Sequence, residues 1–298
     1  MERTELLIIG AGAAGLSAAS TAWEAGCMDV VLTDRLPYTG GILPQCIHEG
    51  FGLAAFGKEL TGPAYAHALA EGLARTGVRF LPGREVLAVT KERTAVLSCS
   101  GGVEEIRFER LILATGCRER NIGSLSLVGT RPAGIFTAGQ AQEMINLRHW
   151  QLGSRVVILG SGDLGMILAR RFTLEGKQVL AVLEQEAHFG GLARNYRRCI
   201  EAYHIPILYR RTIREIHGMP RITGVTVEDL DSGERELLPC DILITAIGLV
   251  PERELIRGLE EAPWLSLAGN CSRVHELADS AAAEGAKIGG QVGRQLIK

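Results

Sequence analysis

The sequence predicts an α/β protein built from two Rossmann-like three-layer domains, the second inserted into the first. Three observations carry this. Leu6-Leu7-Ile8-Ile9 runs into Gly10-Ala11-Gly12-Ala13-Ala14-Gly15 and then into a small-residue stretch, Leu16 to Ala22, which reads as strand, tight turn and helix start. The same device returns 150 residues later, where Arg155-Val156-Val157-Ile158-Leu159 leads into Gly160-Ser161-Gly162-Asp163-Leu164-Gly165. Each copy is followed by an acid 19 residues beyond its last glycine, Asp34 in the first and Glu184 in the second. Glycines let backbone approach a pyrophosphate, and an acid at that distance is placed to bond ribose hydroxyls, so each copy reads as a dinucleotide site.

Length and composition are compatible with this and exclude other classes. A chain of 298 residues can bury two cores. Hydrophobic content of 46% and charged content of 22% are those of an ordinary globular protein. With a net charge of -2 and 5% aromatic residues, nothing points to nucleic acid or an anionic membrane surface as a partner. Residues 6–23 are apolar enough to mimic a short membrane span. Gly10, Gly12, Gly15 and the acid downstream argue for a nucleotide fold instead. No basic region precedes an apolar segment with a cleavage site, and the seven cysteines form neither Cys-x-x-Cys nor zinc-like pairs. Both features suit reduced thiols in a cytoplasmic protein.

Taken in order, the elements fit the two-domain plan. Val30-Val31-Leu32-Thr33 is the second strand, ending at Asp34. Arg35 to Ile42 is turn-rich and carries Gly40-Gly41, a loop suited to return along a bound dinucleotide toward its far half. Leu43 to Gly52 has neither helical nor strand period and holds Gln45, Cys46, His48 and Glu49, which reads as a loop beside a reactive ring. An amphipathic helix follows over 61–77, then a strand over 78–81 and a meander of 85–90, 94–98 and 105–108. Arg110 to Gly116 is a buried strand ending in a small-residue turn, and Asp241 to Gly248 is its counterpart in the second domain. Leu267-Ala268-Gly269-Asn270 and a helix from Val274 to Ile288 complete the first domain. The boundaries expected are 1–117 with 249–298 for one domain and 118–248 for the other.

Two Gly-x-Gly-x-x-Gly copies, Ala114-Thr115-Gly116, and Ala268-Gly269-Asn270 before a helix together resemble the FAD- and NAD(P)-dependent pyridine nucleotide-disulfide oxidoreductases. The short length is similar to the thioredoxin-reductase-type architecture. Gly41 to Gly52, Ala114 to Arg120 and Arg131 to Gly139 also resemble the small flavoprotein encoded beside anaerobic-type glycerol-3-phosphate dehydrogenases, and the FAD/NAD subunits of sarcosine oxidase, proline dehydrogenase and hydrogen cyanide synthase. The resemblance implies an FAD-dependent oxidoreductase passing hydride between a nicotinamide nucleotide and FAD. It also implies, as partners, a small cysteine-rich protein and a larger dehydrogenase subunit; homo-oligomerisation stays open. A rotation about the links near 117 and 249 would bring the nucleotides together. The chain departs from the family twice. It lacks both the Cys-x-x-Cys of thioredoxin reductases and the Cys-x-x-x-x-Cys of glutathione reductases, so reduction through an internal cysteine pair is not expected. It also has Asn270 where the family usually has Asp at the ribitol.

On this reading Gly10, Gly12, Gly15 and Asp34 hold the pyrophosphate and adenosine ribose of FAD. Arg35 either covers the adenine or is simply solvated. Gly40, Gly41 and Gln45 follow the flavin half, Gly116 lies near the adenosine side, and Gly269 and Asn270 lie near the ribitol. The helix from Val274 aims its N–H groups at the flavin edge. Gly160, Gly162, Gly165 and Glu184 hold the nicotinamide nucleotide, and the carboxylate favours NADH over NADPH. Arg194, Arg197 and Arg198 are either a clamp for a 2′-phosphate or a basic surface helix. Cys46 and His48 are the candidate chemical groups, with a thiolate and a pocket-lining thiol as the alternatives. His275-Glu276 is either a proton relay or a first helical turn. The other readings kept open are a stand-alone NADH oxidase using Cys46 and a non-catalytic nucleotide-binding subunit.

Overall fold

A computed structural model describes residues 2–297. The chain divides into two compact units, Met1–Arg118 with Val250–Lys298, and Glu119–Leu249. The fold is mixed α/β, and each unit is organised on a largely parallel sheet.

In the first unit the apolar run at the N-terminus forms β1 (Glu2–Ile9), followed by α1 (Ala13–Glu24) and β2 (Val30–Asp34). Its sheet has the order Arg79–Pro82, β2, β1, Gly102–Leu113, Thr94–Cys99, Glu85–Val89, and Leu265–Leu267 pairs parallel with Gly102–Leu113. β1 lies parallel to both neighbours, with Ile8 opposite Leu32 on one side and Ile112 on the other. Strands flanked in this way are covered on both faces, which is why Leu6 to Ile9 are continuously apolar and buried. The third meander strand and the buried strand after it are in fact one 12-residue strand, Gly102–Leu113. The helix over 61–77 spans Gly62–Ala74, with Thr61 as its cap.

The helix expected from Val274 begins instead at Ala278. Leu277 is extended, and the His275 N–H is already taken by the Asn270 side chain. This closing helix crosses α1 at close range. A Cβ on Gly285, Gly289 or Gly293 would run into the backbone of Ala14, Ala18 or Ala22 respectively, so the closing helix admits only glycine at these three positions. Spacing of four residues on both helices keeps each row on one face.

The second unit repeats the plan. β3 (Arg155–Leu159), α2 (Asp163–Leu174) and β4 (Gln178–Glu184) form its opening. The five-stranded parallel sheet runs Ile135–Thr137, Ile242–Thr245, β3, β4, Ile207–Tyr209. A second sheet of four strands, Val128–Gly129, Arg211–His217, Gly224–Asp229 and Arg235–Leu238, covers it through Ile213, Ile216, Val225 and Val227. Among the described residues no helix is long and apolar enough to cross a membrane.

Candidate functional site

The first cradle is built where β1 ends. Gly10 takes φ +104°, a region L side chains avoid, and its N–H donates to the Thr33 carbonyl at 2.8 Å. A Cβ on Gly10 would overlap the Ala114 carbonyl and one on Gly15 the Gly10 carbonyl, whereas above Gly12 there is nothing within 4 Å. Gly12 is also the cap residue of α1, and it offers no side-chain acceptor. No side chain caps the first N–H groups of α1, the setting in which a helix N-terminus can accept a phosphate. Asp34 is held at this point by both oxygens: Ala11 N–H donates to one at 2.6 Å and Leu36 N–H to the other at 2.8 Å. Gly40 donates to the Ala11 carbonyl at 2.8 Å, and a Cβ on Gly41 would lie 3.1 Å from the Gly12 Cα. Gly10, Gly12, Gly15, Asp34, Gly40 and Gly41 are thus brought together. Arg35 is exposed, and its charge acts on Glu252. Gly116 has φ +76° with open space beside it, and its carbonyl accepts from Glu252 N–H at 3.0 Å.

Gln45 and Cys46 are buried at the short turn Leu43–Gln45. The Cys46 carbonyl accepts from Gly62 N–H at 2.9 Å, and its Sγ lies 3.5 Å from the Ile42 carbonyl oxygen. Burial pushes the Cys46 thiol up to about 12, so it is protonated at neutral pH. His48 is half-buried, with Nδ1 2.9 Å from the Glu49 carbonyl oxygen and its ring 5.1 Å from that of Phe51. Phe51 and Phe56 both lie against the ring of buried Tyr65. Asp279, in the first turn of the closing helix, accepts from Gly52 N–H at 3.0 Å and ties this loop to that helix.

Gly269 and Asn270 form a short turn after Leu265–Leu267. Gly269 N–H donates to Glu284 Oε2 at 2.7 Å, and the same oxygen lies 3.1 Å from His275 Nε2. Asn270 Oδ1 accepts from His275 N–H at 2.9 Å, while its Nδ2 lies 3.4 Å from Cys117 Sγ. Glu284 is therefore the carboxylate bonded to His275, and sequence reading, which looked to the adjacent Glu276, missed it. Val274 is exposed and lies before the helix, so it does not head the helix as expected.

The second cradle repeats the first with one change of chemistry. Gly160 has φ +107°, its N–H donates to the Leu183 carbonyl at 2.8 Å, and Gly165 sits where a Cβ would overlap the Gly160 carbonyl. Nothing lies within 4 Å above Gly162, the side-chain-free cap of α2. Glu184 Oε2 accepts from both the Ser161 N–H at 3.0 Å and the Ser161 hydroxyl at 2.5 Å, and its Oε1 accepts from Glu186 N–H at 3.0 Å. Burial raises this carboxyl, but the Ser161 hydroxyl and the amides of Glu186, Ser161 and Gln185 outweigh burial and hold it below the ordinary range. Gly190 and Gly191 stand six and seven residues after Glu184, as Gly40 and Gly41 do after Asp34, a continuation of the repeat that sequence reading passed over. Gly190 N–H donates to Ser161 Oγ at 2.9 Å, and Asp163 Oδ1 accepts from Leu192 N–H and Asn195 Nδ2, both at 2.7 Å. Arg194 is half-buried on the short helix Ala193–Asn195, while Arg197 and Arg198 are exposed on the turn that follows.

Comparisons with known proteins bear on this arrangement. A family profile described as pyridine nucleotide-disulphide oxidoreductase matches residues 4–283. The chain is similar to a thioredoxin reductase of Treponema pallidum, with 24% identity covering 86% of this chain and 80% of that protein. It is also similar to an opine oxidase subunit from Agrobacterium tumefaciens, with 26% identity covering 84% of this chain and 53% of that protein, about half of its length. Among solved structures, the thioredoxin reductase of T. acidophilum superposes with a TM-score of 0.81 at 22% identity over 100% of both chains.

Proposed function

The chain belongs to the pyridine nucleotide-disulphide oxidoreductase family and is an FAD-dependent oxidoreductase; from that premise we propose that its first unit holds FAD and its second holds NAD(H), with hydride passing between them. The carrying observation is the pair of cradles, each with a helix N-terminus that no side chain caps and a carboxylate fixed beside it. The residues fit the group: Gly10, Gly12 and Gly15 would admit the FAD pyrophosphate, Asp34 the adenosine ribose, and Gly40, Gly41, Gln45, Gly116, Gly269 and Asn270 the remainder. FAD, when bound, supplies a two-electron carrier for hydride. The protein's part is to bind, orient and exclude water, since this transfer needs alignment rather than a protein acid or base.

NAD(H) is preferred to NADP(H) because Glu184 stays ionised and faces the ribose side of the second cradle, where a 2′-phosphate would meet its charge. Cys46 and His48 shape the ring pocket; the protonated thiol and its burial support this over a thiolate role. Electrons leave to an acceptor or a partner dehydrogenase subunit. Support comes from the sequence, which holds no Cys-x-x-Cys, and from the likeness to a protein named as an oxidase subunit. The test is anaerobic mixing of the FAD-loaded protein with NADH and with NADPH while following flavin absorbance. Faster bleaching by NADH is expected. A flavin that stays oxidised with both would end the hydride-transfer reading and favour a non-catalytic nucleotide-binding subunit.

A further inference from the structure

The two cradles differ at one position that touches the acid: Ala11 in the first is Ser161 in the second. In the first, the acid is held only by amides, and the returning glycine loop bonds to a backbone carbonyl, Gly40 N–H to Ala11 O. In the second, the same two amide bonds to the acid recur, from Ser161 and Glu186, and the fully buried Ser161 hydroxyl adds a third and also receives the returning loop. It donates to Glu184 Oε2 at 2.5 Å and accepts from Gly190 N–H at 2.9 Å. We propose that Ser161 is a specificity-positioning residue: it fixes the Glu184 carboxylate, in its charged form and in one orientation, against the Gly190-Gly191 loop, and thereby sets the discrimination between NADH and NADPH.

A hydroxyl has one proton, and here it points at Glu184; the lone pairs on the same oxygen take the Gly190 amide proton. Both Glu184 oxygens already accept, Oε2 from the Ser161 hydroxyl and N–H and Oε1 from the Glu186 N–H, so a proton on either would compete with a bond already made and the arrangement favours the anion. The phenol of Tyr209 sits opposite Glu184 in the neighbouring strand, and no ion pair to Glu184 occurs among the described residues. The anion therefore remains uncompensated toward a nucleotide, where a ribose diol can donate to it and a phosphate dianion cannot. Arg194, Arg197 and Arg198 follow the Gly190-Gly191 loop in the chain, in a segment that Asp163 anchors through Leu192 and Asn195. Loss of the serine hydroxyl leaves the acid held by amides alone and removes the acceptor of the Gly190 N–H, so the acid is less firmly fixed against the loop.

This inference rests on the assignment of the second cradle to NAD(H), and its test separates the two. Equilibrium binding of NADH and NADPH to the FAD-loaded protein, its flavin first reduced anaerobically with dithionite so that no hydride can pass, is measured by calorimetry for wild type, Ser161→Ala, Glu184→Gln and the double variant. Loss of one charge-assisted hydrogen bond predicts a fall of about tenfold in the NADPH-to-NADH Kd ratio for Ser161→Ala. In the Glu184→Gln background the same serine change should alter that ratio by less than about twofold, because the serine acts through the acid. A general loss of packing would weaken both nucleotides together and leave the ratio unmoved, which would overturn the proposal. An equal effect of the serine change with and without Glu184 would overturn it as well. Wild type that binds NADPH at least as well as NADH would instead overturn the nucleotide assignment.

Discussion

Cys46 is a thiol enclosed by the Leu43–Gln45 turn and the Gly62 backbone, and enclosure sets its chemistry. Its pKa rises from an ordinary 9.0 to about 12, and burial does the same for Cys240, to about 12, and for Cys27, to about 11. Each raised pKa stabilises the fold fully below pH 9, and that contribution is lost as pH rises through the folded value, because the unfolded thiol ionises first. Stability should therefore fall between pH 9 and pH 11 by up to ~1.4 kcal/mol per pH unit for each buried thiol, read as urea midpoints, and Cys240→Ala should flatten that slope. Cys46→Ser should leave the anaerobic rate of flavin reduction by NADH within about threefold, since alignment rather than a thiolate drives the transfer. A loss of more than ~100-fold would return the residue to the chemistry. Residue type alone makes the cradle glycines legible in sequence, because a positive φ or a missing Cβ leaves few alternatives. Ser161 and Glu284 are not legible in the same way. Their meaning depends on partners 23 and 15 residues away, and on which oxygen faces which amide.

At the scale of elements, the glycine seam between α1 and Ala278–Leu296 makes opposite predictions for neighbouring residues of one helix. Gly289→Ala would drive a Cβ into the Ala18 backbone, which cannot step aside, and should cost about 2 kcal/mol or more despite alanine's better helix propensity. Gly290→Ala meets first the mobile end of Arg294 at 3.4 Å and should be neutral or stabilising by up to ~1 kcal/mol. Denaturant melts of the two variants check this, and equal destabilisation would contradict the seam. The same seam explains why the closing helix is longer than the sequence suggests. Gly289-Gly290 and Gly293 argue for a stop on propensity, and contact with α1 overrides them. Gly102–Leu113 reads as two strands in sequence for a related reason. Its first half alternates exposed and buried residues beside Thr94–Cys99, while its last residues are enclosed on both faces, so the pattern changes where the chain does not.

For the whole molecule, two units with separate cradles should answer to separate ligands. FAD alone should slow amide hydrogen exchange in residues 10–24 and 269–285, whereas NADH should slow it in 160–174 and 184–192. Protection of 160–174 by FAD alone would reverse the assignment of the cradles. At roughly 100 times its Kd, FAD should add about 2.7 kcal/mol to the stability of the unit that binds it. The routing of the chain has a further consequence for synthesis. Residues 119–249 are contiguous and carry every strand of their four- and five-stranded sheets, so this unit can close while translation is still under way. The other unit cannot. Its sheet lacks Leu265–Leu267 and its first helix lacks the glycine seam until residues 265–296 have left the ribosome. During that interval α1 shows water the small-residue face that Gly285, Gly289 and Gly293 will cover, so a ribosome stalled late would leave a nascent chain with its second cradle formed and its first still incomplete.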